Sequence, residues 1–122
     1  MLINNLYQIV ELESIENVIH ANIKLNEEHG IFKGHFPDVP VLPGVIMMQM
    51  CKEIIENVEG LKLQILKAAN MKFLMMLNPE KTNNIKVEIL LKEKSDELIK
   101  IQSKISSDLG IHFKMSAQLS IQ

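Results

Sequence analysis

One histidine of this 122-residue chain stands where acid–base chemistry is possible. His35 lies within Gly30-Ile31-Phe32-Lys33-Gly34-His35-Phe36-Pro37-Asp38-Val39-Pro40-Val41-Leu42-Pro43-Gly44-Val45, which holds three of the four prolines and three of the five glycines of the chain. Proline fixes φ and glycine permits close backbone approach, so the segment reads as a stiff, specially shaped loop. It delivers His35 next to the start of a helix, read over residues 43 or 44 to 58. The first N–H groups of a helix have no internal partner and are partly positive, which suits an oxyanion. A general base beside such a site is what abstraction of a proton α to a carbonyl requires.

The other reactive side chains carry weaker signals. His20 and His112 fall on the polar faces of alternating strands and are expected to be solvated, and His29 is expected at the surface. Cys51 is the only cysteine. It falls on the apolar part of the helix without a basic partner, which suits a small core residue better than a nucleophile. Most of Met47, Met48, Met50, Met71, Met75 and Met76 are expected to pack in the core. A Met-lined acyl tunnel is the alternative, because Met adapts to variable apolar shapes. No His/Cys/Asp cluster has metal-ligand spacing and no Gly-rich phosphate loop is present, so no cofactor is implied.

The elements that must position His35 are mostly strands. Ile85, Val87, Ile89 and Leu91 alternate with polar residues, broken only by Leu90, and Ile99, Ile101 and Ile105 alternate likewise. The longest alternation runs through Ile111, Phe113, Met115, Ala117, Leu119 and Ile121. Period-two patterning predicts strands with one face on a core. Turn residues at 94–96 and 106–110 predict an antiparallel meander. Residues 6–12 and 18–25 read as a hairpin turning near 13–17, and residues 62–77 as a further extended run. In the one helix, Val45 to Met48, Met50 and Cys51 make most of the circumference apolar, which predicts burial on most sides. Gln49, Lys52, Glu53 and Glu56 form a single polar stripe. One buried helix with about six antiparallel strands is an α+β pattern, a sheet curled around a helix.

Composition narrows the function classes. Hydrophobic residues make up 47% and the net charge is −2, enough for one real core and ordinary for a soluble chain. All 13 basic residues are Lys, and only five aromatic residues are present, which argues against a nucleic-acid binder. A lone cysteine excludes an internal disulfide. The first residues lack the charged and apolar regions of a secretory signal, and no apolar run approaches a membrane span. A single domain over residues 1–122 and a cytoplasmic location are expected.

From Gly34 to Val45 the sequence resembles the signature of the beta-hydroxyacyl-acyl carrier protein dehydratases of fatty-acid synthesis. There a Gly-His-Phe-Pro segment precedes a Pro-Val-x-Pro-Gly-Val segment that opens the central helix. Lys72-Phe73 followed by Asn78-Pro79 is similar to a later strand of that family, except that Glu80-Lys81 follows the proline here. The match is dense over residues 30–49. The resemblance implies a hotdog fold, an antiparallel sheet of about six strands around one long helix. It also implies a homodimer or trimer of dimers with sites at the dimer interface. The implied reaction converts a (3R)-3-hydroxyacyl thioester on acyl carrier protein into the trans-2-enoyl thioester and water. His35 would be the catalytic histidine, and the Gly44 N–H would polarise the thioester carbonyl. Phe36, Pro43, Val45 and Met48 would bind substrate, while Lys33, Lys67 and Lys72 are candidates to meet the acidic carrier.

One position departs from the family. Fourteen residues after the histidine the family has Glu or Asp, contributed from the partner subunit to help the hydroxyl leave. Here that residue is Gln49, which can hydrogen-bond but cannot transfer a proton. Three consequences stay open: a slow enzyme, His35 acting alone on both protons, or a heterodimer in which a second dehydratase homologue supplies the carboxylate. The alternative to an enzyme is an acyl-thioester-binding subunit that pairs with an active homologue. A hotdog thioesterase ranks last, because those enzymes usually lack the Gly-His-Phe-Pro loop.

Overall fold

The computed structural model describes residues 2–32 and 40–122. His35 and Phe36 therefore lie outside the described residues, as does Lys33. The elements run β1 (Tyr7–Ile15), β2 (Val18–Leu25), a short 3-10 turn (Gly30–Phe32), α1 (Gly44–Glu59), β3 (Leu63–Phe73), β4 (Asn84–Lys94), β5 (Leu98–Ser107) and β6 (Gly110–Ile121). The six strands form one antiparallel sheet in the order β1-β2-β4-β5-β6-β3. The meander expected in the second half is β4-β5-β6. The chain enters at one edge with β1 and β2, then α1 takes it to the far edge, where β3 pairs with β6.

Alternation sets the registers. Ile23 pairs with Ile85, Ala21 with Val87 and Ile19 with Ile89. Val87 pairs with Ile105, and Ile105 in turn with Phe113. All are buried. Directly opposed residues share a face, so a one-residue slip would turn the whole apolar set outward. Against this face α1 lays Met47, Met50, Cys51, Ile54 and Ile55, a stripe at helical spacing. The helix ends at Gly60, whose positive φ of 65° lets its N–H reach the Glu56 carbonyl at 2.9 Å. That is the left-handed C-terminal cap that glycine favours.

Several local expectations need correction. The first hairpin turns on Glu16 and Asn17, both at positive φ. This tight two-residue connection matches the twist of the strands and lets β1 run on to Ile15. Residues 74–77 leave the sheet after Phe73 instead of extending β3. The helix is not buried on most sides at its start: Val45 is 68% exposed. Met47 and Met50 are core residues and Met48 is half-buried, but Met71, Met75 and Met76 are exposed.

Two polar expectations also fail. His112 is buried, not solvated. It lies on the face of β6 away from the helix and meets Ser107 and the 74–77 segment there. Glu53, read as part of the polar stripe, is 1% exposed. His20 is exposed as expected. His29 is half-buried, and its Nδ1 accepts the Ile31 N–H at 3.1 Å within the 3-10 turn.

Cys51 is buried in the core as read, and burial pushes its thiol up to about 11. The thiolate is the reactive form. A disulfide reagent at neutral pH should therefore modify Cys51 in the denatured protein and leave the native protein unlabelled over the same time. Rapid native labelling would contradict this burial.

No helix among the described residues is long and apolar enough to cross a membrane.

Candidate active site

Pro43 sets the start of α1. Its backbone is extended, with φ −64° and ψ 148°, and no side chain caps the helix. The Ile46 and Met47 N–H groups donate to the Pro43 carbonyl at 3.1 and 3.2 Å. Among the described residues the Gly44 and Val45 N–H groups have no acceptor. Helix N-terminal N–H groups, which have no partner within the helix, are what a carbonyl oxygen gaining negative charge needs.

Gly44 borders an open groove of about 390 Å³ whose walls also include Leu42, Met47, Phe73 and residues 74–77. Gly44 allows the closest approach. A Cβ added there would overlap the Phe73 ring, which itself leans on Phe113 at 5.2 Å between centroids. The far wall is tied down by hydrogen bonds. Leu42 N–H donates to Leu77 O at 2.9 Å, and Leu74 N–H donates to His112 O at 2.9 Å. His112 Nδ1 lies 3.3 Å from the Met75 carbonyl, which can only accept, so Nδ1 carries the proton. In the neutral ring Nε2 then accepts from the Ser107 hydroxyl at 2.7 Å. His112 is thus a strut between this wall and the β5–β6 turn.

Gln49 stands elsewhere. It is half-buried and borders a second groove of about 510 Å³ with Ile3, Lys52, Glu53, Leu63 and Gln122. Its Nε2 donates to Glu53 Oε2 at 3.1 Å. Glu53 also accepts the N–H of Leu2, at 3.0 and 3.1 Å to its two oxygens. The Ile3 N–H donates at 2.9 Å and the Tyr7 hydroxyl at 3.2 Å. Burial alone would raise the Glu53 pKa. The hydrogen bonds from Leu2, Gln49, Ile3 and Tyr7 outweigh it and hold the carboxyl below the usual carboxylate range. Tyr7 shifts the other way: burial raises its pKa, and the Glu53 charge adds to the rise.

The expected site residues therefore divide. Pro43 and Gly44 border the first groove, with Val45 exposed beside them. Gln49 borders the second, and Met48 packs half-buried against the core. The two grooves share no lining residue. Positions five apart on a helix differ by about 140° in direction and about 7.5 Å along the axis, so one chain does not aim Gly44 and Gln49 at one cavity. Glu53 and His112 were missed as structural parts of the site. Only the spacing of Glu53, four residues after Gln49, offered a signal.

Comparison with known proteins adds the lineage. The family described as ApeI-like, ApeI dehydratase, matches residues 11–110. A 3-hydroxyacyl-(acyl-carrier-protein) dehydratase FabZ of Teredinibacter turnerae is 41% identical over 49 residues. That match takes in 40% of this chain and 31% of that protein, so it spans under a third of the relative's length. The FabZ of Ruminiclostridium cellulolyticum is 26% identical over 89% of this chain and 84% of its own. Among solved structures, the dehydratase heterocomplex ApeI:P of Xenorhabdus doucetiae superposes with a TM-score of 0.73 at 19% identity, covering 93% of this chain and 96% of that one. The same fold is shared with a thioesterase of Haemophilus influenzae at 15% identity. The six antiparallel strands around one helix are a hotdog fold, and the chain belongs to the ApeI-like dehydratase family.

Proposed function

We propose that the chain is a subunit of a dehydratase that converts (3R)-3-hydroxyacyl thioesters on acyl carrier protein into trans-2-enoyl thioesters and water. The observation that carries this is the helix start: among the described residues the Gly44 and Val45 N–H groups have no acceptor, and Gly44 borders an apolar groove, with six residues separating the helix from the Gly-His-Phe-Pro segment. In this reading the thioester carbonyl accepts from the Gly44 N–H, which makes the α-proton more acidic. His35 removes that proton. Pro43, Val45 and Phe36 flank the thioester, and Gln49 meets the substrate hydroxyl. No cofactor takes part.

The separate grooves support a site shared between two chains. β3 is an edge strand, so its outer N–H and C=O groups await a partner. It also exposes Leu66, Met71 and Phe73. Antiparallel pairing of β3 with a second copy through a two-fold axis sets the Leu63 end of one strand beside the Phe73 end of the other. Leu63 borders the Gln49 groove and Phe73 borders the Gly44 groove. Such a dimer brings Gln49 of one chain towards the helix start of its partner. A homodimer, a trimer of such dimers, or a heterodimer would each place it so.

A second reading is supported by Gln49 and by the solved relative being a heterocomplex. In it the chain binds acyl thioesters and pairs with an active homologue that supplies a carboxylate. The deciding experiment incubates the purified protein with a panel of (3R)-3-hydroxyacyl carrier proteins and follows loss of water by mass spectrometry. Dehydration by the protein alone supports the enzyme. Silence alone, with turnover once a carboxylate-bearing homologue is added, supports the paired subunit. Silence in both arms overturns the dehydratase reading.

A further inference from the structure

The buried Glu53 carboxylate bears directly on what Gln49 can do. The two side chains are one helical turn apart on the same face, and the Gln49 amide donates from Nε2 to Glu53 Oε2 at 3.1 Å. A carboxylate only accepts hydrogen bonds. Turning the Gln49 amide over would set its oxygen against Glu53 Oε2, so the contact fixes which end faces away. Glu53 cannot swing aside either. Its Oε1 holds the Leu2 and Ile3 N–H groups and the Tyr7 hydroxyl, and Tyr7 is itself 1% exposed.

We propose that Glu53 is a positioning residue that clamps the Gln49 amide with its Oε1 presented to the substrate, making Gln49 an acceptor for the 3-hydroxyl. This deepens the dehydratase reading and rests on it. An acceptor at that place takes the hydroxyl's own hydrogen and turns an oxygen lone pair away from Gln49. The proton that the leaving oxygen needs then comes from His35. The balance is complete with one base. The Cα–H bond breaks and its proton passes to His35, and the electron pair forms the Cα=Cβ bond. The Cβ–O bond breaks, and the protonated His35 returns the same proton to the departing hydroxyl, giving water.

The clamp also explains why a carboxylate cannot simply be restored at position 49. Gln49→Glu alone would put two carboxylates in direct contact, and they would have to share a proton. Exchanging both residues keeps the pair with its polarity reversed. The amide oxygen then placed at position 53 would still accept from Ile3 and Tyr7, while its NH2 would donate to the carboxylate at position 49.

The test is a cycle of Gln49→Glu, Glu53→Gln and the double exchange, measured in the whole protein. Dehydration supplies kcat and KM, and NMR supplies the side-chain amide resonance of Gln49. Glu53→Gln is expected to lower kcat by about 10- to 100-fold, the scale of a misplaced group, with KM changed much less. It should also shift the Gln49 amide resonance and speed its hydrogen exchange. Gln49→Glu is expected to be slow as well, and the double exchange to be faster than either single change, a non-additivity that marks direct coupling.

The proposal is overturned if the Gln49 resonance ignores Glu53→Gln, or if an active wild type keeps its kcat in that variant. It is equally overturned if Gln49→Glu alone matches the double exchange. A wild type that dehydrates no substrate, alone or with a carboxylate-bearing homologue, instead sinks the dehydratase reading, and the NMR arm still reports whether the clamp exists.

Discussion

Replacing His35 with Ala should lower the rate of dehydration by about 10²–10⁴-fold, the usual contribution of a positioned acid or base. The proposed site has no second proton-transferring group to replace it. Gln49 cannot carry a proton, and Glu53 is engaged by four donor groups. The loss should fall on kcat and on kcat/KM alike, because proton abstraction stabilises the transition state and not the bound substrate. The Gly44 and Val45 N–H groups and the apolar groove remain in the variant, so affinity for an enoyl carrier-protein product should survive. Parallel melting curves separate a chemical defect from an unfolded one. An active wild type matched by a His35→Ala variant of equal rate would remove His35 from the mechanism.

Glu53→Leu should cost about 2–4 kcal/mol of stability, since each buried donor left without a partner costs about 1–3 kcal/mol and Glu53 serves several together. For a chain of this size that lowers the melting temperature by on the order of 10 °C. The loss should depend on pH with a definite sign. The Glu53 pKa is depressed in the folded state, below the ordinary 4.5, so the unfolded chain takes up a proton first on acidification. The stabilisation by the ionised carboxylate is complete above the ordinary value and is lost as pH falls through the depressed folded value. Melting curves of wild type and Glu53→Leu should therefore lie far apart at neutral pH and converge in acid. A gap that is constant or widens in acid would contradict the hydrogen-bonded carboxylate.

Much of the local structure was legible in the residues. The helix read from 43 or 44 to 58 is Gly44–Glu59, and the alternating runs became β4, β5 and β6 with their expected faces. What failed involves residues distant in the chain. His112 lies on the polar side of an alternating strand, and nothing within β6 announces that residues 74–77 and Ser107 cover that side. Glu53 falls at polar-stripe spacing, yet three of its four donor groups come from residues 2, 3 and 7. Phe73 is a strand residue as read, and nothing in its local pattern announces that its ring meets Gly44.

The sequence by itself determined most of the elements, their apolar faces and where the helix starts. These depend on φ restrictions and on periods of 2 and 3.6 residues, which operate over a few positions. The tertiary structure alone decided that β3 crosses to the far edge beside β6 and that Glu53 is sealed beneath the N-terminal residues. It also decided that Gly44 and Gln49 open into different grooves. Those outcomes follow from which surfaces the crossing helix brings together, and a periodic pattern specifies that a face will be buried without specifying what buries it.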